Sequence, residues 1–307
     1  MVINVGASAG TVGYSNCQFW SSDGCFCISH SELLNNKYLF YYLQTKTHFL
    51  QSQVRHAGIP TLDNLVVEKI NLPIPSLEEQ NRIVGILDTF TDSIENLKQQ
   101  IAQRRKQYEH YRDQLLDLEG KEGVEMKTLG KITSFRNGKG HEKLVSPSGT
   151  YVVVTSKFIS TNGEIKKFCN INLCPLIKDD ILMVMSDLPN GKALAKCYLV
   201  ECNNMYTLNQ RIGAFHVFNP EYIDTHFLFF VLNRNRQLLC YDNGVDQTNL
   251  RKNDILSINI PVPPLSEQSR IVSILDTFEA SISNLEAQLE QRQKQYEYYR
   301  NQLLTFE

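Results

Sequence analysis

Pro73-Ile-Pro-Ser-Leu-Glu-Glu-Gln-Asn-Arg-Ile-Val-Gly-Ile-Leu-Asp88 and Pro261-Val-Pro-Pro-Leu-Ser-Glu-Gln-Ser-Arg-Ile-Val-Ser-Ile-Leu-Asp276 open two stretches, 73–119 and 261–307, that align without a gap at a constant offset of 188. Of the 47 aligned positions, 30 are identical. A period of that size is a domain's length, well beyond the 20–50 residues of a solenoid repeat. The chain is a duplication of one unit.

Within each copy the apolar and aromatic residues alternate spacings of four and three. In the first they are Ile83, Leu87, Phe90, Ile94, Leu97 and Ile101, continued by Arg104, Tyr108, Tyr111 and Leu115. In the second they are Ile271, Leu275, Phe278, Ile282, Leu285 and Leu289, continued by Arg292, Tyr296, Tyr299 and Leu303. A 4-3 alternation held over more than four heptads marks a coiled-coil helix. Prolines stop at Pro75 and Pro264, and Ser76 with Glu79 fits a capping box, so helices are predicted near 77–117 and 265–305. About 35 residues at 1.5 Å each give a length of roughly 50 Å. A lone seam would face water, and the two copies supply each other's partner. An intramolecular antiparallel pair is the expected arrangement, with homodimerisation through the seam as the alternative. Arg104 and Arg292, inside the seam, fit either snorkelling stems or partner contacts.

Upstream of each helix the two segments align more weakly. Gly58–Leu62 matches Gly244–Leu250, Val67–Leu72 parallels Ile255–Ile260, and Tyr38–Leu43 parallels Phe227–Leu232. Met1–Gly13 falls opposite Ile181–Gly191, while 127–180 has no counterpart. Tyr151–Thr155, Asp180–Met185 and Gly213–Phe218 read as strands, Asn190-Gly191 as a turn, and Thr225–Asn233 as a helix. The globular unit is therefore α+β. Its charge is uneven: 127–178 carries nine Lys/Arg against Glu142 and Glu164, whereas 1–72 holds four of each sign. A local surplus of that kind draws a polyanion, even in a chain of net charge −2.

Composition narrows the class. At 307 residues and 42% apolar, the chain is long enough for two cored domains. No run approaches the ~18 consecutive apolar residues of a membrane helix. The first residues lack a basic-then-apolar leader, which makes the cytoplasm the default compartment. The eight cysteines form no C-x-x-C and the histidines stand singly, so reduced thiols are expected, with no metal and no cofactor. Asn219-Pro-Glu-Tyr222 superficially resembles the amide-binding N-P-P-Y of adenine methyltransferases, without its second proline or a Gly-rich cofactor loop. Asn190-Gly-Lys-Ala193 lacks the first glycine and the Ser/Thr of a phosphate loop, and Phe135–His141 spaces its glycines wrongly for a dinucleotide site. No catalytic residue is expected.

A duplicated mixed domain, a P-x-P-x-L-x-E-Q junction and a long heptad helix resemble the specificity subunits of type I restriction-modification systems. The matching residues are Pro73–Gln80 with Arg82–Asp88, and Pro261–Gln268 with Arg270–Asp276; Asp180-Ile-Leu182 and Thr207–Gly213 look like two further strands of the family. The resemblance implies two mixed α/β target recognition domains separated by two long antiparallel coiled-coil helices, related by a pseudo-two-fold repeat. It divides the chain into a partial first recognition domain (1–72), a spacer helix region (73–119), a second recognition domain (124–260) and a second spacer helix region (261–307). It implies double-stranded DNA as ligand, with methyltransferase and restriction subunits docking on the helices, the subunit performing no chemistry itself. Against the family pattern, a complete subunit would carry before Met1 a segment matching 127–180. The chain alone is then not expected to specify a full two-part target; a purely structural coiled-coil scaffold or a silent recombination cassette is the alternative.

For DNA contact the expected residues are Lys139, Lys143, Lys157, Lys166, Lys167 and Lys192 on phosphates or in a groove, with Asn209, Gln210 and Arg211 as base readers. Arginine pairs bidentately with guanine, and Asn or Gln with adenine. The bland reading of each is a solvated surface side chain.

Overall fold

The computed structural model describes residues 1–29, 31–141, 143–189 and 191–306; Asn190 of the expected turn, Glu142 and Glu307 lie outside them. In chain order the elements are β1 (Val2–Ile3), β2 (Cys25–Phe26), α1 (Asn36–Thr45), α2 (Thr47–Ser52), α3 (Asn64–Glu68) and the long α4 (Leu77–Leu116). Then come β3 (Glu125–Thr128), α5 (Leu129–Ile132), β4 (Thr133–Asn137), β5 (Tyr151–Val154), α6 (Ser156–Ser160), β6 (Phe168–Cys169), β7 (Ile181–Val184), β8 (Ser186–Asp187) and β9 (Cys197–Leu199). The last are β10 (Tyr206–Leu208), β11 (Ile212–Val217), α7 (Thr225–Leu232), α8 (Arg236–Leu239), β12 (Thr248–Asn249), α9 (Lys252–Leu256), β13 (Asn259–Val262) and the long α10 (Leu265–Leu303). The chain divides into two compact units, one of Met1–Lys106 with Ala280–Glu307, the other of Gln107–Glu279. Each unit therefore joins one globular segment to a stretch of both long helices.

In the first unit, α1 starts cleanly because the Asn35 side chain accepts the amides of Lys37 and Tyr38, two of the donors a helix start leaves unpaired. Its buried Tyr38, Tyr41 and Tyr42 pack on Ile83, Val84 and Leu87 of α4 and on Leu304 just past α10. Further along, the Phe90 ring stacks on Tyr299 at 5.3 Å, the Arg292 guanidinium lies 5.7 Å from the Phe90 ring centre, and Arg105 pairs with Glu286. As numbers rise along α4 they fall along α10, so the helices run antiparallel.

The second unit is built on a four-stranded antiparallel sheet, β4-β11-β7-β9, flanked by the three-stranded β10-β5-β6. All four residues of β7 are buried, because both faces of the sheet are covered. Ile181 and Met183 join a core with Phe215, Phe227 and Leu228 that reaches Ile271 and Leu275 of α10. Leu182 and Val184 face a second core with Val152, Val154, Phe158 and Leu208. The nearly all-apolar α7 is capped by Asp224, whose side chain accepts the Phe227 amide. Here too the long helices meet in antiparallel register: Tyr111 stacks on Phe278 at 5.4 Å and the Tyr108 hydroxyl donates to Glu279 at 2.9 Å.

Burial along the seam follows what covers it. Ile83, Leu87, Ile101, Ile271 and Leu275 are buried; Phe90, Ile94, Leu97, Phe278, Ile282, Leu285 and Leu289 are half-buried. Two helices alone leave their seam residues partly open, and full burial comes mainly where a globular segment closes over them. Three details differ from the sequence reading. Thr207–Gly213, which resembled one strand of the family, is the end of β10 and the start of β11 with a turn between them. Ser76 accepts the Glu79 amide at 3.3 Å, but the Glu79 carboxylate turns outward to grip Arg82 with both oxygens at 2.7 Å, so it is not a reciprocal box. And the alignment of Met1–Gly13 with Ile181–Gly191 slips by one residue: Ile3 and Val184 hold equivalent ladder positions, bonded to Thr11 with Gly10 and to Lys196 with Ala195.

Candidate nucleic-acid interface

The candidate site grows from the turn between β10 and β11. The Ile212 amide closes it on the Asn209 carbonyl at 3.0 Å, leaving Gln210 and Arg211 exposed and Asn209 half-exposed at its crest. Polar residues in a surface turn have no core to fill, and loops of this kind often carry binding residues.

The neighbours of this turn are fixed by backbone bonds. The Lys139 amide donates to the Leu208 carbonyl at 3.0 Å, and Lys139 bridges Asn209. Gly138 allows that approach: a Cβ there would sit 2.0 Å from the Asn209 carbonyl oxygen. His141, buried, anchors the same basic loop. Its Nδ1 donates to the Lys139 carbonyl at 2.7 Å, and its Nε2 accepts from the Thr207 hydroxyl at 3.0 Å. The tautomer follows from the partners: a carbonyl only accepts, and Thr207 Oγ1 already accepts the Cys174 amide at 3.2 Å, which directs its own hydrogen to His141.

On one side of the turn, the Asn209 amide donates to the Val154 carbonyl at the end of β5, where Thr155 caps α6 and Lys157 is exposed on its first turn. Lys166 and Lys167 are exposed at the start of β6, and the Lys167 carbonyl accepts the Val153 amide at 2.8 Å. On the other side, the Met185 amide donates to the Arg211 carbonyl at 3.0 Å, and the Leu250 amide to the Met185 carbonyl at 2.8 Å. That brings β8 and β12 alongside, with Gln247 bonding Ser186 at 2.7 Å. Lys192 is exposed on a loop folded over the Asp187 carboxylate, which accepts the Ala193 and Leu194 amides. Backbone bonds thus tie the Asn209–Arg211 turn to the segments that carry Lys139, Lys157, the Lys166-Lys167 pair just before β6, and, beyond Met185, Lys192. Lys143 is exposed two residues past His141, on the same basic loop.

Among the described residues, two of the nine basic residues of 127–178 form ion pairs with nearby carboxylates. Lys127 pairs with Glu125 at 2.8 Å, and that contact raises its own pKa. Arg136 pairs with the fully buried Asp180, which also accepts the Ile177 amide at 3.0 Å and lies 3.1 Å from His216 Nδ1. Sequence reasoning placed neither pair, nor His141, nor the Gln247 loop; His141 meets Thr207 across 66 residues, a separation no local pattern reports.

The first unit contains the same turn in different residues. The Cys25 amide closes on the Ser22 carbonyl, the Asn4 amide donates to Gly24, and the Leu62 amide to Asn4, matching Ile212–Asn209, Met185–Arg211 and Leu250–Met185 in turn. Gly24 therefore stands where the second unit has Arg211, and Ser22-Asp23 where it has Asn209-Gln210.

A family model for the type I restriction modification DNA specificity domain matches residues 1–104 and 121–293. The chain is 32% identical over 308 residues to a type I restriction enzyme specificity subunit of Escherichia coli, covering 91% of this chain and 72% of that one. It is 27% identical over 327 residues to the type I restriction enzyme MjaVIII specificity subunit of Methanocaldococcus jannaschii, covering 98% and 76%. Its fold is similar to that of the type I restriction-modification S subunit from M. genitalium, with a TM-score of 0.62 at 18% identity over 100% of this chain and 82% of that one. The two matched spans fall one on each copy of the duplication, and with them the duplicated α+β units, the paired long helices and the shared turn have one common explanation: the chain belongs to the type I restriction-modification specificity subunit family.

Proposed function

We propose that this chain selects the DNA sequence on which a type I restriction-modification complex acts, and leaves the chemistry to its partners. The observation that carries the reading is the turn at Asn209–Arg211, where an arginine and a glutamine stand exposed and an asparagine half-exposed, on backbone held by hydrogen bonds at both flanks and joined to the segments of Lys139 and Lys157. Lysines placed on phosphates set register without reading sequence, whereas Arg, Asn and Gln match base edges in the major groove. In this reading each globular segment addresses one half of a two-part site, and the paired helices fix the gap between the halves, as dimer geometry does for other DNA readers. The first segment does so through the turn it shares with the second, although it has no aligned counterpart of 127–180. Methyltransferase subunits, and restriction subunits with them, dock on the helices, and the complex works in the cytoplasm. No helix of the described residues is long and apolar enough to cross a membrane.

The first unit is the weaker reader, because Ser22-Asp23-Gly24 offers neither a guanidinium nor an amide side chain. The test is to co-express the chain with its methyltransferase partner and map methylated adenines genome-wide, with and without Arg211→Ala. A motif that depends on the chain and degenerates at one half in the variant is the expected result. Methylation that ignores the chain would refute the reading.

A further inference from the structure

Gln80 and Gln268 lie outside both the interface and the seam. They occupy the same place in the two copies, the fourth residue of α4 and of α10, and both are fully buried. In the first copy the Gln80 side-chain carbonyl accepts the Asn35 amide at 2.8 Å, and its NH2 donates to the carbonyls of Leu33 at 3.0 Å and Pro75 at 2.9 Å. In the second, Gln268 accepts from the Asp224 amide at 2.7 Å and donates to Tyr222 at 3.1 Å and Pro263 at 2.8 Å. Asn35 and Asp224 are the caps of α1 and α7; Leu33 and Tyr222 each lie two residues before the cap. Pro75 and Pro263 each lie five residues before the glutamine.

Both N–H groups and the carbonyl of each amide are thus spent on backbone, and on the same three backbone groups in each copy. Glutamate only accepts when ionised, leucine does neither, and asparagine is one carbon too short. The three bonds knot the cap of the domain helix, the chain entering that cap, and the proline junction onto one turn of the long helix. The joint resists rotation between domain and helix in a way that apolar contacts, being non-directional, do not.

We propose that Gln80 and Gln268 are positioning residues that hold each recognition unit at a set angle to the helix it leads into, and so determine which separation of DNA half-sites the complex accepts. This rests on the DNA-reading assignment above. The lever makes small errors matter. The 40 residues of α4 span about 60 Å, and a swing of about 5° over that length is about 5 Å, more than the ~3.4 Å step between base pairs.

The experiment uses the chain assembled with its methyltransferase partner and a set of duplexes whose two half-sites are one base pair closer, at the native spacing, or one base pair further apart. Gln268→Leu and the shape-preserving Gln268→Glu are compared with wild type, with circular dichroism and Tm measured on each. Expected are folded variants in which methylation at the native spacing falls by about tenfold, while the preference over the altered spacings shrinks to about twofold. Should Gln268→Leu not fold, Gln268→Glu and Gln80→Glu decide by the same readout. A folded variant that keeps the wild-type spacing preference overturns the proposal, as does a loss equal at every spacing and proportional to the folded fraction. Wild-type methylation indifferent to spacing removes the two-part reading itself, and the proposal falls with it.

Discussion

Gly138 and Asp180 show how single residues shape the candidate interface without touching a ligand. A methyl group at Gly138 would meet backbone only, the Asn209 and Leu208 carbonyls, so the turn itself must move. Gly138→Ala is expected to leave the fold intact by circular dichroism and to weaken DNA binding about as much as Arg211→Ala, roughly tenfold, a loss of the size of one bidentate base contact. Electrophoretic mobility shift measures it, and wild-type affinity would show that the turn yields freely. Asp180 is a different case. It is buried under Arg136 and His216, and removing it strands a guanidinium that is still partly solvated. Asp180→Ala is expected to cost about 2–3 kcal/mol by urea denaturation, below the range for a fully buried pair because water reaches Arg136. Residue type alone made Asn209, Gln210 and Arg211 legible as candidate readers, because Arg, Asn and Gln carry base-matching chemistry wherever they are exposed. Gln80 and His141 were not legible as joints, since their value lies in partners 45 and 66 residues away.

Among elements, the long helices were the most legible. Their 4-3 spacing reports a seam whatever the rest of the chain does, and α4 and α10 end within a few residues of the predicted bounds. What spacing does not report is how deeply each seam position is covered. Leu275 is fully buried in the second unit's core, whereas Leu285 is only half-buried. Leu275→Ala is expected to cost about 2–5 kcal/mol and Leu285→Ala about 1 kcal/mol, since a truncation in a dense core leaves a cavity and one at an open seam admits water. Thermal melts of the two variants test this, and equal losses would show the seam to be uniformly packed. The short strands were legible where they are apolar runs, as in β5 and β7. The two-residue β8 and β12 were not, because they exist only as each other's partners.

At the scale of the whole molecule, the two copies are alike in joints and helices and unlike in charge. Lys166 and Lys167 belong to a stretch of the second unit for which the first has no aligned counterpart. Lys166→Glu with Lys167→Glu is therefore expected to weaken DNA binding and reduce the slope of log affinity against log salt by about two, one for each phosphate no longer neutralised. A salt titration with an unchanged slope would place the DNA elsewhere.

The first compact unit closes only when Ala280–Glu307 joins Met1–Lys106. Leu303, Leu304 and Tyr296 from the chain's far end pack against Tyr38, Tyr41 and Ile83 near its beginning. A ribosome adding about 5–20 residues per second needs roughly 10–35 s to get from Lys106 to Ala280, so during every round of synthesis Tyr38 and Tyr41 have α4 beside them but lack the cover of Tyr296, Leu303 and Leu304 while the second globular segment is being made. Slow codons or a pause in that interval lengthen the wait, and the nascent chain's need for chaperones should rise with it.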